Sequence, residues 1–189
     1  MTDTSVPGRR AHQEDELLVI RCQLGERPAF DDLVERWHRP VWTYVRRVAG
    51  NDDAASDIAQ DVWLRVLRGI GRLRDGAKLR PWLFGIARRA LMDRFRLQYA
   101  APIEADADLT AIAASASSDD SQEEIAAMER ELARLPVTER EVLTLFYLRE
   151  LSLTDVADVL AVPVGTVKSR LFRARRQLRR ELDTEGESA

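Results

Sequence analysis

One segment in the middle of the chain constrains the fold more than any other feature. Residues 99–124 (YAAPIEADADLTAIAASASSDDSQEE) carry seven acidic side chains and no basic one, and they hold little bulky apolar material. Such a segment cannot bury enough surface to offset the entropy lost when a chain becomes ordered. We therefore predict a flexible acidic linker at 99–124 with a small folded domain on either side, the first lobe (17–98) and the second lobe (125–183).

The charge of the two lobes is unevenly distributed. The net charge of the 189 residues is only -3, but residues 17–98 carry 16 basic and 10 acidic side chains. In the second lobe, residues 168–180 (KSRLFRARRQLRR) hold seven basic side chains and no acidic one. A cluster of this density is typical of a surface that contacts phosphates. The small net charge is therefore a poor guide to the partners of this chain.

The chain lacks the residues that several classes of protein require. No apolar run approaches the roughly 20 residues that cross a bilayer, and the charged start MTDTSVPGRR lacks the apolar stretch of a secretion signal. We therefore expect a cytoplasmic chain without membrane insertion. Cys22 is the single cysteine, so an internal disulfide is excluded, and the two histidines, His12 and His38, lie far apart. We expect no metal and no cofactor.

The first lobe has the apolar periodicity of helices. Apolar residues recur at spacings of three and four from Phe30 to Val48, with a bend or break expected at Pro40. The same period continues from Ala55 to Val66 and again over 82–98. Because no segment alternates with a period of two, we predict an all-α fold. Residues 1–16 are predicted to be a disordered tail.

The second lobe combines helix-start signals with a basic helix. Residues 138–141 and 152–155 each fit a capping box, the second of which opens a short helix. A break at 161–165 then precedes a long helix over about 166–182, and this order predicts a helix-turn-helix. Its inward stripe leaves one outward face, formed by Lys168, Ser169, Phe172, Arg173 and Arg176. Residues 184–189 are predicted to be a tail.

Three segments resemble a known family. SLTDVADVLAVPVGTVKSRLFRARRQL (152–178) looks like region four of bacterial RNA polymerase sigma factors, in the small two-domain extracytoplasmic-function (ECF) group of the sigma-70 superfamily. DAASDIAQDVWLRVLRGI (53–70) resembles the core-binding part of region two, and RPWLFGIARRALMDRFR (80–96) resembles its promoter-melting part. The matches follow the family's order along both lobes. The resemblance implies two helical domains that direct promoter-specific transcription initiation.

The resemblance also implies roles for residues of the first lobe. Docking on the clamp of core RNA polymerase falls to Asp57, Gln60, Asp61, Trp63 and Arg65. We interpret Trp63 as an exposed interface anchor because it lies off the apolar stripe, with a core position as the alternative. Recognition and melting of the minus-ten element fall to Arg72, Arg74, Lys78, Arg80, Trp82, Arg88, Arg89, Asp93 and Arg96. Arg89 stands where most relatives carry Asn, which leaves the base preference open.

For the second lobe, the resemblance implies that the outward face of the long helix reads the minus-thirty-five element. The expected partners are core RNA polymerase, through its clamp and flap, promoter DNA and an anti-sigma factor. At the turn of the helix-turn-helix, Ala161 replaces a commoner Gly, which a helix end tolerates only with a changed cap.

Two other functions stay open at this point. A stand-alone dimeric helix-turn-helix regulator would explain the second lobe but leaves the first lobe without a purpose. A hydrolytic or redox enzyme would depend on Cys22 or His38. We expect no catalysis, because neither residue has the neighbouring base or nucleophile that such chemistry needs.

Overall fold

The structure, a computed structural model, describes residues 7–99 and 129–186. All regular structure in these two ranges is helical, which confirms the all-α prediction. The first lobe contains helices α1 (Pro7–Gln23), α2 (Arg27–Ala49), α3 (Asp52–Gly69) and α4 (Leu79–Tyr99). The second lobe contains α5 (residues 129–134), α6 (Val137–Leu143), α7 (Leu153–Leu160) and α8 (Val164–Gly186). The predicted linker, beyond Tyr99, lies outside the described residues.

Helix α2 packs against the other three helices of the first lobe. Its buried side chains follow the helical period, as predicted; they include Leu33, Trp37, Val41, Tyr44, Val45 and Val48. The helix continues through Pro40, so the alternative of a break at this residue is wrong. Proline costs an internal helix one hydrogen bond, and the buried side chains on both sides of Pro40 hold the two halves in one helix.

A tight turn sets α3 against α2. Gly50 ends α2 in the left-handed region, with φ 72°, and its N–H donates to the carbonyl oxygen of Arg46. The next residue, Asn51, caps α3 by accepting a hydrogen bond from the N–H of Ala54 at 2.9 Å. Glycine takes this backbone conformation without steric cost, so the chain reverses within two residues.

The predicted disordered tail is wrong for residues 7–16, which belong to α1. The cause is Asp15, whose side chain is 3% exposed and lies 2.9 Å from the guanidinium of Arg36 and 3.1 Å from that of Arg80. Trp37 also donates to the Asp15 carboxylate at 3.3 Å. Asp15 thereby joins α1 to α2 and α4. Residues 1–6 lie outside the described residues.

The two helices of the helix-turn-helix are α7 and α8, and the cap predicted for α7 is confirmed. Ser152 accepts a hydrogen bond from the N–H of Asp155 at 3.1 Å and donates to the Asp155 carboxylate at 2.7 Å. The capping box predicted at 138–141 is wrong, because α6 already begins at Val137 and Thr138 donates instead to the side chain of Glu139. Helix α8 continues to Gly186, past the predicted domain end at 183.

The two lobes pack against each other within one continuous apolar core. Helix α4 of the first lobe contacts α7 of the second, and α2 contacts α6. Buried side chains of both lobes, such as Phe84 and Val142, belong to the same cluster. The surface between the lobes therefore includes part of α4, the helix that sequence analysis assigned to promoter melting.

Candidate nucleic-acid interface

The outward face of α8 has the composition and exposure of a DNA-reading surface. Val167, Leu171 and Ala174 are buried beneath it, as the apolar period predicted. The opposite side carries the five predicted contacts, all exposed: Lys168, Ser169, Phe172, Arg173 and Arg176. Phe172 is 65% exposed although it is a large apolar residue. Packing within the protein does not explain this exposure. Contact of the ring with a base edge or a thymine methyl does explain it.

Interactions within the second lobe orient side chains on this face and beside it. Arg173 forms an ion pair with Glu139 of α6 at 3.0 Å. The guanidinium of Arg175 lies over the ring of Tyr147, 5.4 Å from its centroid. Ser169 donates to the carbonyl oxygen of Thr166 at 2.9 Å, which leaves its hydroxyl oxygen available as an acceptor. The face is thus partly organised before any DNA arrives.

The turn between α7 and α8 contains a strained residue. Ala161 lies in the left-handed region, with φ 52° and ψ 45°, and its N–H donates to the carbonyl oxygens of Ala157 and Asp158. This is the position where the resemblance implies a commoner Gly. The helix end therefore keeps the left-handed cap and does not change it, at the steric cost that a Cβ brings.

Between α3 and α4, residues 70–78 form two short 3₁₀ turns that rest on α1. The side-chain amide of Gln23 donates to the carbonyl oxygens of Ile70 at 3.1 Å and Leu73 at 2.8 Å. Asp75 caps the second turn by accepting from the N–H of Ala77. Arg72 and Arg74 are exposed in this segment, so both remain candidate phosphate contacts.

Arg80 and Trp82, which sequence analysis assigned to DNA, contribute instead to packing. The Arg80 side chain is 19% exposed, pairs with Asp15 and lies over the ring of Trp37 at 5.3 Å. Trp82 is partly buried against α3, where a Cβ added at Gly69 would lie 3.2 Å from its ring. In this arrangement both side chains hold α4 in place.

Two further cations of the first lobe are paired with carboxylates of the second. Lys78 donates to Asp155 of α7 at 2.8 Å. The Nε of Arg88 lies 3.5 Å from the carboxylate of Glu141 in α6, which also accepts from the hydroxyl of Tyr44 at 3.1 Å. Burial raises the pKa of Glu141, although Arg88 and the Tyr44 hydroxyl act against this shift. The structure thus places Arg88 within the interface between the lobes and Lys78 at its exposed edge.

Two of the remaining predicted residues on α4, Asp93 and Arg96, are connected with residues on α3. Arg65 pairs with Asp61 at 2.8 Å and with Asp93 of α4 at 2.7 Å, and Arg96 pairs with Asp93 at 3.4 Å. Arg89 is exposed on α4. Asp61 and Arg65, assigned to core polymerase, therefore share a polar network with Asp93 and Arg96, assigned to melting.

The interpretation of Trp63 as an exposed anchor is wrong, because its side chain is only 9% exposed. The indole donates to Nδ1 of His38 at 3.1 Å and packs edge-on against Phe30, with ring centroids 6.2 Å apart. The other four docking residues, Asp57, Gln60, Asp61 and Arg65, retain at least partial exposure. Leu64 and Leu67, which were not among the predicted residues, are 47% and 55% exposed on the same helix. Their positions off the buried stripe were the available signal.

The geometry does not favour the enzyme hypothesis. Burial raises the pKa of the Cys22 thiol, which disfavours the reactive thiolate. His38 is engaged with Trp63. In the part of the chain that the structure describes, no group of His, Cys, Asp and Glu could hold a metal ion. Within the same part, no helix is long and apolar enough to span a membrane.

Comparison with known proteins covers both lobes. The model for Sigma-70 region 2 matches residues 33–100, and that for Sigma-70, region 4 matches residues 125–178. The chain is 35% identical over 175 residues to the ECF RNA polymerase sigma factor SigM of Mycobacterium tuberculosis, covering 93% of this chain and 87% of that relative. It is 31% identical over 176 residues to SigW of Bacillus subtilis, covering 87% and 94%.

A solved structure is also similar. In the co-crystal structure of the sigma factor RpoE with the anti-sigma factor NepR from Bartonella quintana, the match has a TM-score of 0.64 at 25% identity. It covers 82% of this chain and 96% of that one. Because similarity at this level extends through both lobes and nearly the full length of the relatives, the chain belongs to the ECF sigma factors, alternative sigma factors that direct transcription.

Proposed function

We propose that this sigma factor divides promoter recognition between its lobes, with the second lobe reading the minus-thirty-five element and the first lobe reading and melting the minus-ten element. The observation that carries this proposal is the outward face of α8, where an exposed aromatic ring stands among basic side chains. The protein acts in the cytoplasm as a non-catalytic subunit of RNA polymerase.

The dimensions of α8 suit a major groove. Its 23 residues extend about 34 Å at 1.5 Å per residue. The N-terminal half, with Lys168, Ser169, Phe172 and Arg173, reaches base edges. Arginines further along the helix, beginning at Arg176, reach backbone phosphates, which position the helix without reading the sequence.

In the first lobe, the exposed cations of the 70–78 segment and of α4 are the primary single-strand contacts. Arg72 and Arg74 lie on that segment, and Arg89 and Arg96 lie on α4. A base that leaves the duplex loses a few kcal/mol of stacking, which contacts with the segment and the strand must offset. The anchorage of the segment by Gln23 supplies a fixed shape for this task.

Docking on core RNA polymerase falls to the outer surface of α3. This surface combines the polar residues Asp57, Gln60 and Asp61 with the exposed apolar side chains of Leu64 and Leu67. Apolar side chains ringed by charge are a common composition of protein interfaces. Leu64 and Leu67 take the anchoring role that we had assigned to Trp63.

An anti-sigma factor is the further expected partner. The support is the similarity to RpoE of Bartonella quintana, which was solved in complex with the anti-sigma factor NepR.

The second lobe also meets the polymerase at its flap.

Run-off transcription tests the proposal. Core RNA polymerase from the source organism, supplied with this protein and genomic promoter fragments, should produce transcripts with defined starts, and core alone should not. A protein that binds palindromic duplex DNA as a dimer but never confers initiation on core would instead be a stand-alone regulator. Loss of function in Cys22→Ser would indicate an enzyme, whereas a sigma factor should tolerate this change.

A further inference from the structure

The junction between α2 and the second lobe contains two arginines without a carboxylate partner among the described residues. Arg140 of α6 is 3% exposed, and its terminal nitrogens donate to the backbone carbonyl oxygens of Arg47, Ala133 and Leu135. The guanidinium of Arg149 has no hydrogen-bond or ion-pair partner in the same part of the chain, and its Nε is buried. Charges that are removed from water normally have a partner of opposite sign. This junction therefore carries positive charge that its own side chains do not balance.

A single turn of π-helix brings Arg149 into line with Arg140. Residues Thr144–Leu148 continue α6 with this wider turn, and the N–H of Arg149 donates to the carbonyl oxygen of Thr144 at 3.1 Å. Since Thr144 follows Arg140 by four positions, Arg140, Thr144 and Arg149 succeed one another along one face of this segment. Arg140 donates to Arg47, so this is the face that meets α2. Turns of π-helix within α-helices are rare and occur frequently at functional sites.

Four polar atoms at this junction are buried without a hydrogen-bond partner among the described residues. They are the Nε of Arg47, Arg140 and Arg149 and the hydroxyl oxygen of Thr144, which is 0% exposed. Each of these groups can donate a hydrogen bond. Native proteins leave few buried donors unpaired, and a bound ion is one of the reasons for the exceptions. A negatively charged acceptor would satisfy these donors.

The carboxylates near the junction leave an excess of positive charge. Glu129 of α5 lies 3.0 Å from Arg46 and 3.6 Å from Arg47, and Arg46 also pairs with Asp52. These two carboxylates balance Arg46 and Arg47, so the other two arginines of the junction leave two positive charges in excess among the described residues. This excess matches a phosphate group, which carries about -1.5 to -2 charges at pH 7.

The junction is reachable from solvent on the side of Arg149. Arg149 is partly exposed, and the side chain of Arg47 is 13% exposed. Burial, together with the positive charge of Arg47, lowers the pKa of Arg149 to about 10. The charges of these two arginines therefore act on each other across the junction, and an anion between them would remove the repulsion.

We propose that Arg47, Thr144 and Arg149 bind a phosphate or diphosphate group of a small molecule. Guanidinium groups hold phosphate oxygens through parallel N–H donors, and the buried hydroxyl of Thr144 supplies a further donor. Arg140 fixes the backbone of Arg47 and adds positive charge. None of these four residues belongs to the predicted DNA or polymerase contacts, so the inference does not depend on the proposed function.

Isothermal titration calorimetry of the full chain with pyrophosphate tests the site. Ionic strength is held constant with sodium chloride, so that general screening does not change during the titration. One pyrophosphate should bind per chain and should raise the thermal unfolding midpoint, because a ligand of the folded form stabilises it. Inorganic phosphate and ATP are titrated in parallel. Tighter binding of ATP than of pyrophosphate would indicate a nucleotide, and equal or weaker binding would indicate the inorganic ion.

Substitutions at Arg149 separate ligand binding from structure. Arg149→Gln should weaken pyrophosphate binding about tenfold or more, and Arg149→Lys, which keeps the charge but loses the parallel donors, should also weaken it. Without ligand, Arg149→Gln should not lower the free energy of unfolding, because it removes a buried charge that has no partner. The matched control is Arg134→Gln in α5, where Arg134 is 56% exposed and pairs with Glu131. It removes the same charge and should leave pyrophosphate binding unchanged.

Three results would overturn the inference. An unsubstituted chain that does not bind pyrophosphate is the first, and loss of affinity for core RNA polymerase in Arg149→Gln would then assign the arginines to a carboxylate of the polymerase. Equal pyrophosphate binding by the unsubstituted chain and Arg149→Gln is the second, since it would place the anion elsewhere. A lower free energy of unfolding in ligand-free Arg149→Gln is the third, since it would show that Arg149 already has a partner in the folded chain.

The run-off assay is a separate test. A chain that confers initiation on core RNA polymerase but does not bind pyrophosphate overturns only the phosphate site. A chain that binds pyrophosphate as described but never confers initiation overturns only the proposed function.

Discussion

At the scale of single residues, α8 shows how the helical period separates a buried face from a reading face. The pattern predicted which side chains would point outward, because Val167, Leu171 and Ala174 repeat within a stripe that only one neighbour surface can cover. It could not predict the ion pair between Arg173 and Glu139, which depends on how α6 lies beside α8.

The ion pair between Arg173 and Glu139 provides a control for a test of Arg173. Arg173→Ala should lower the rate of promoter-specific initiation by a factor equivalent to about 1–3 kcal/mol if the side chain reads a base edge. Binding to core RNA polymerase should stay intact. Quantitative run-off assays and core-binding titrations measure the two effects. The control is Glu139→Gln, which releases Arg173 and should preserve DNA binding. Loss of core binding in Arg173→Ala would contradict its placement in the reading face.

The left-handed Ala161 gives a second prediction at this scale. A non-glycine residue costs roughly 1–2 kcal/mol in this conformation, and glycine loses about 0.5–1 kcal/mol more entropy on folding. Ala161→Gly should therefore stabilise the protein by about 0.5–1 kcal/mol, measured as a higher urea midpoint. Gly50→Ala, at the left-handed end of α2, should have the opposite effect. A lower midpoint in Ala161→Gly would argue against the left-handed turn.

At the scale of elements, α1 is the main departure from what the sequence predicted. Its N-terminal half is polar, and charge density alone suggested a tail. The decisive contacts of Asp15 are made with Arg36 and Arg80, which lie far along the chain. No local pattern identifies such partners, so residues 7–16 could not be recognised as ordered.

The role of Asp15 leads to a third prediction. Asp15→Ala should lower the free energy of unfolding by about 3 kcal/mol, because it leaves two arginines without their buried partner. Urea denaturation followed by circular dichroism measures the loss. Glu14 also pairs with Arg36, at 2.8 Å, but it is 53% exposed, and Glu14→Ala should cost no more than about 1 kcal/mol. Equal losses in the two variants would show that Asp15 is not the anchor of α1.

Helix α3 carries a fourth prediction. Replacing both Leu64 and Leu67 by alanine should weaken the affinity for core RNA polymerase about tenfold, as expected when anchoring side chains leave an interface. The free energy of unfolding should change little, because both side chains are about half exposed. Leu24→Ala, in the turn between α1 and α2 where the side chain is 74% exposed, is the matched control and should leave core affinity unchanged.

The contrast with Trp63 explains why the docking surface was only partly predicted. Trp63 follows the buried Val62 and lies at the edge of the stripe formed by Ala59, Val62 and Val66. A side chain of this size reaches sideways into the core from such a position, so its helical angle is a poor guide to its exposure. Leucines further from the stripe have no such reach and remain exposed.

At the scale of the whole molecule, the interface between the lobes predicts a dependence on pH. Glu141 faces Tyr44 of α2, Arg88 of α4 and Arg170 of α8, and burial between the lobes raises its pKa. The folded chain therefore binds a proton at Glu141 more readily than an unfolded chain with a solvated carboxylate. The packing of the lobes gains stability from this group as pH falls through the raised pKa and loses it as pH rises.

Measurement of the free energy of unfolding of the unsubstituted chain and of Glu141→Gln from about pH 8 to about pH 4 checks this sign, because the window extends below the ordinary glutamate pKa. Glu141→Gln mimics the protonated carboxyl, so the difference in stability between the two proteins should shrink as the pH falls. A difference that grows on acidification would contradict the assignment to Glu141.

The packing of the two lobes against each other could not be predicted from the sequence. The linker composition predicted a helical unit on either side of residues 99–124. It could not predict their packing, in which Tyr44 and Glu141 meet across 97 positions of the chain. Helical periods report which face of an element is apolar, and they do not report which surface will cover it.

The buried Glu141 also limits how freely the two halves of this protein can be exchanged with those of its relatives. A second lobe from another family member that lacks a carboxylate at this position would leave Arg88 and Tyr44 facing it without a partner. Such chimeras would combine the donor's second lobe with a less stable interface between the lobes. The two halves of this protein are therefore not independent modules. An exchange of the second lobe requires that a carboxylate be kept opposite Arg88 and Tyr44.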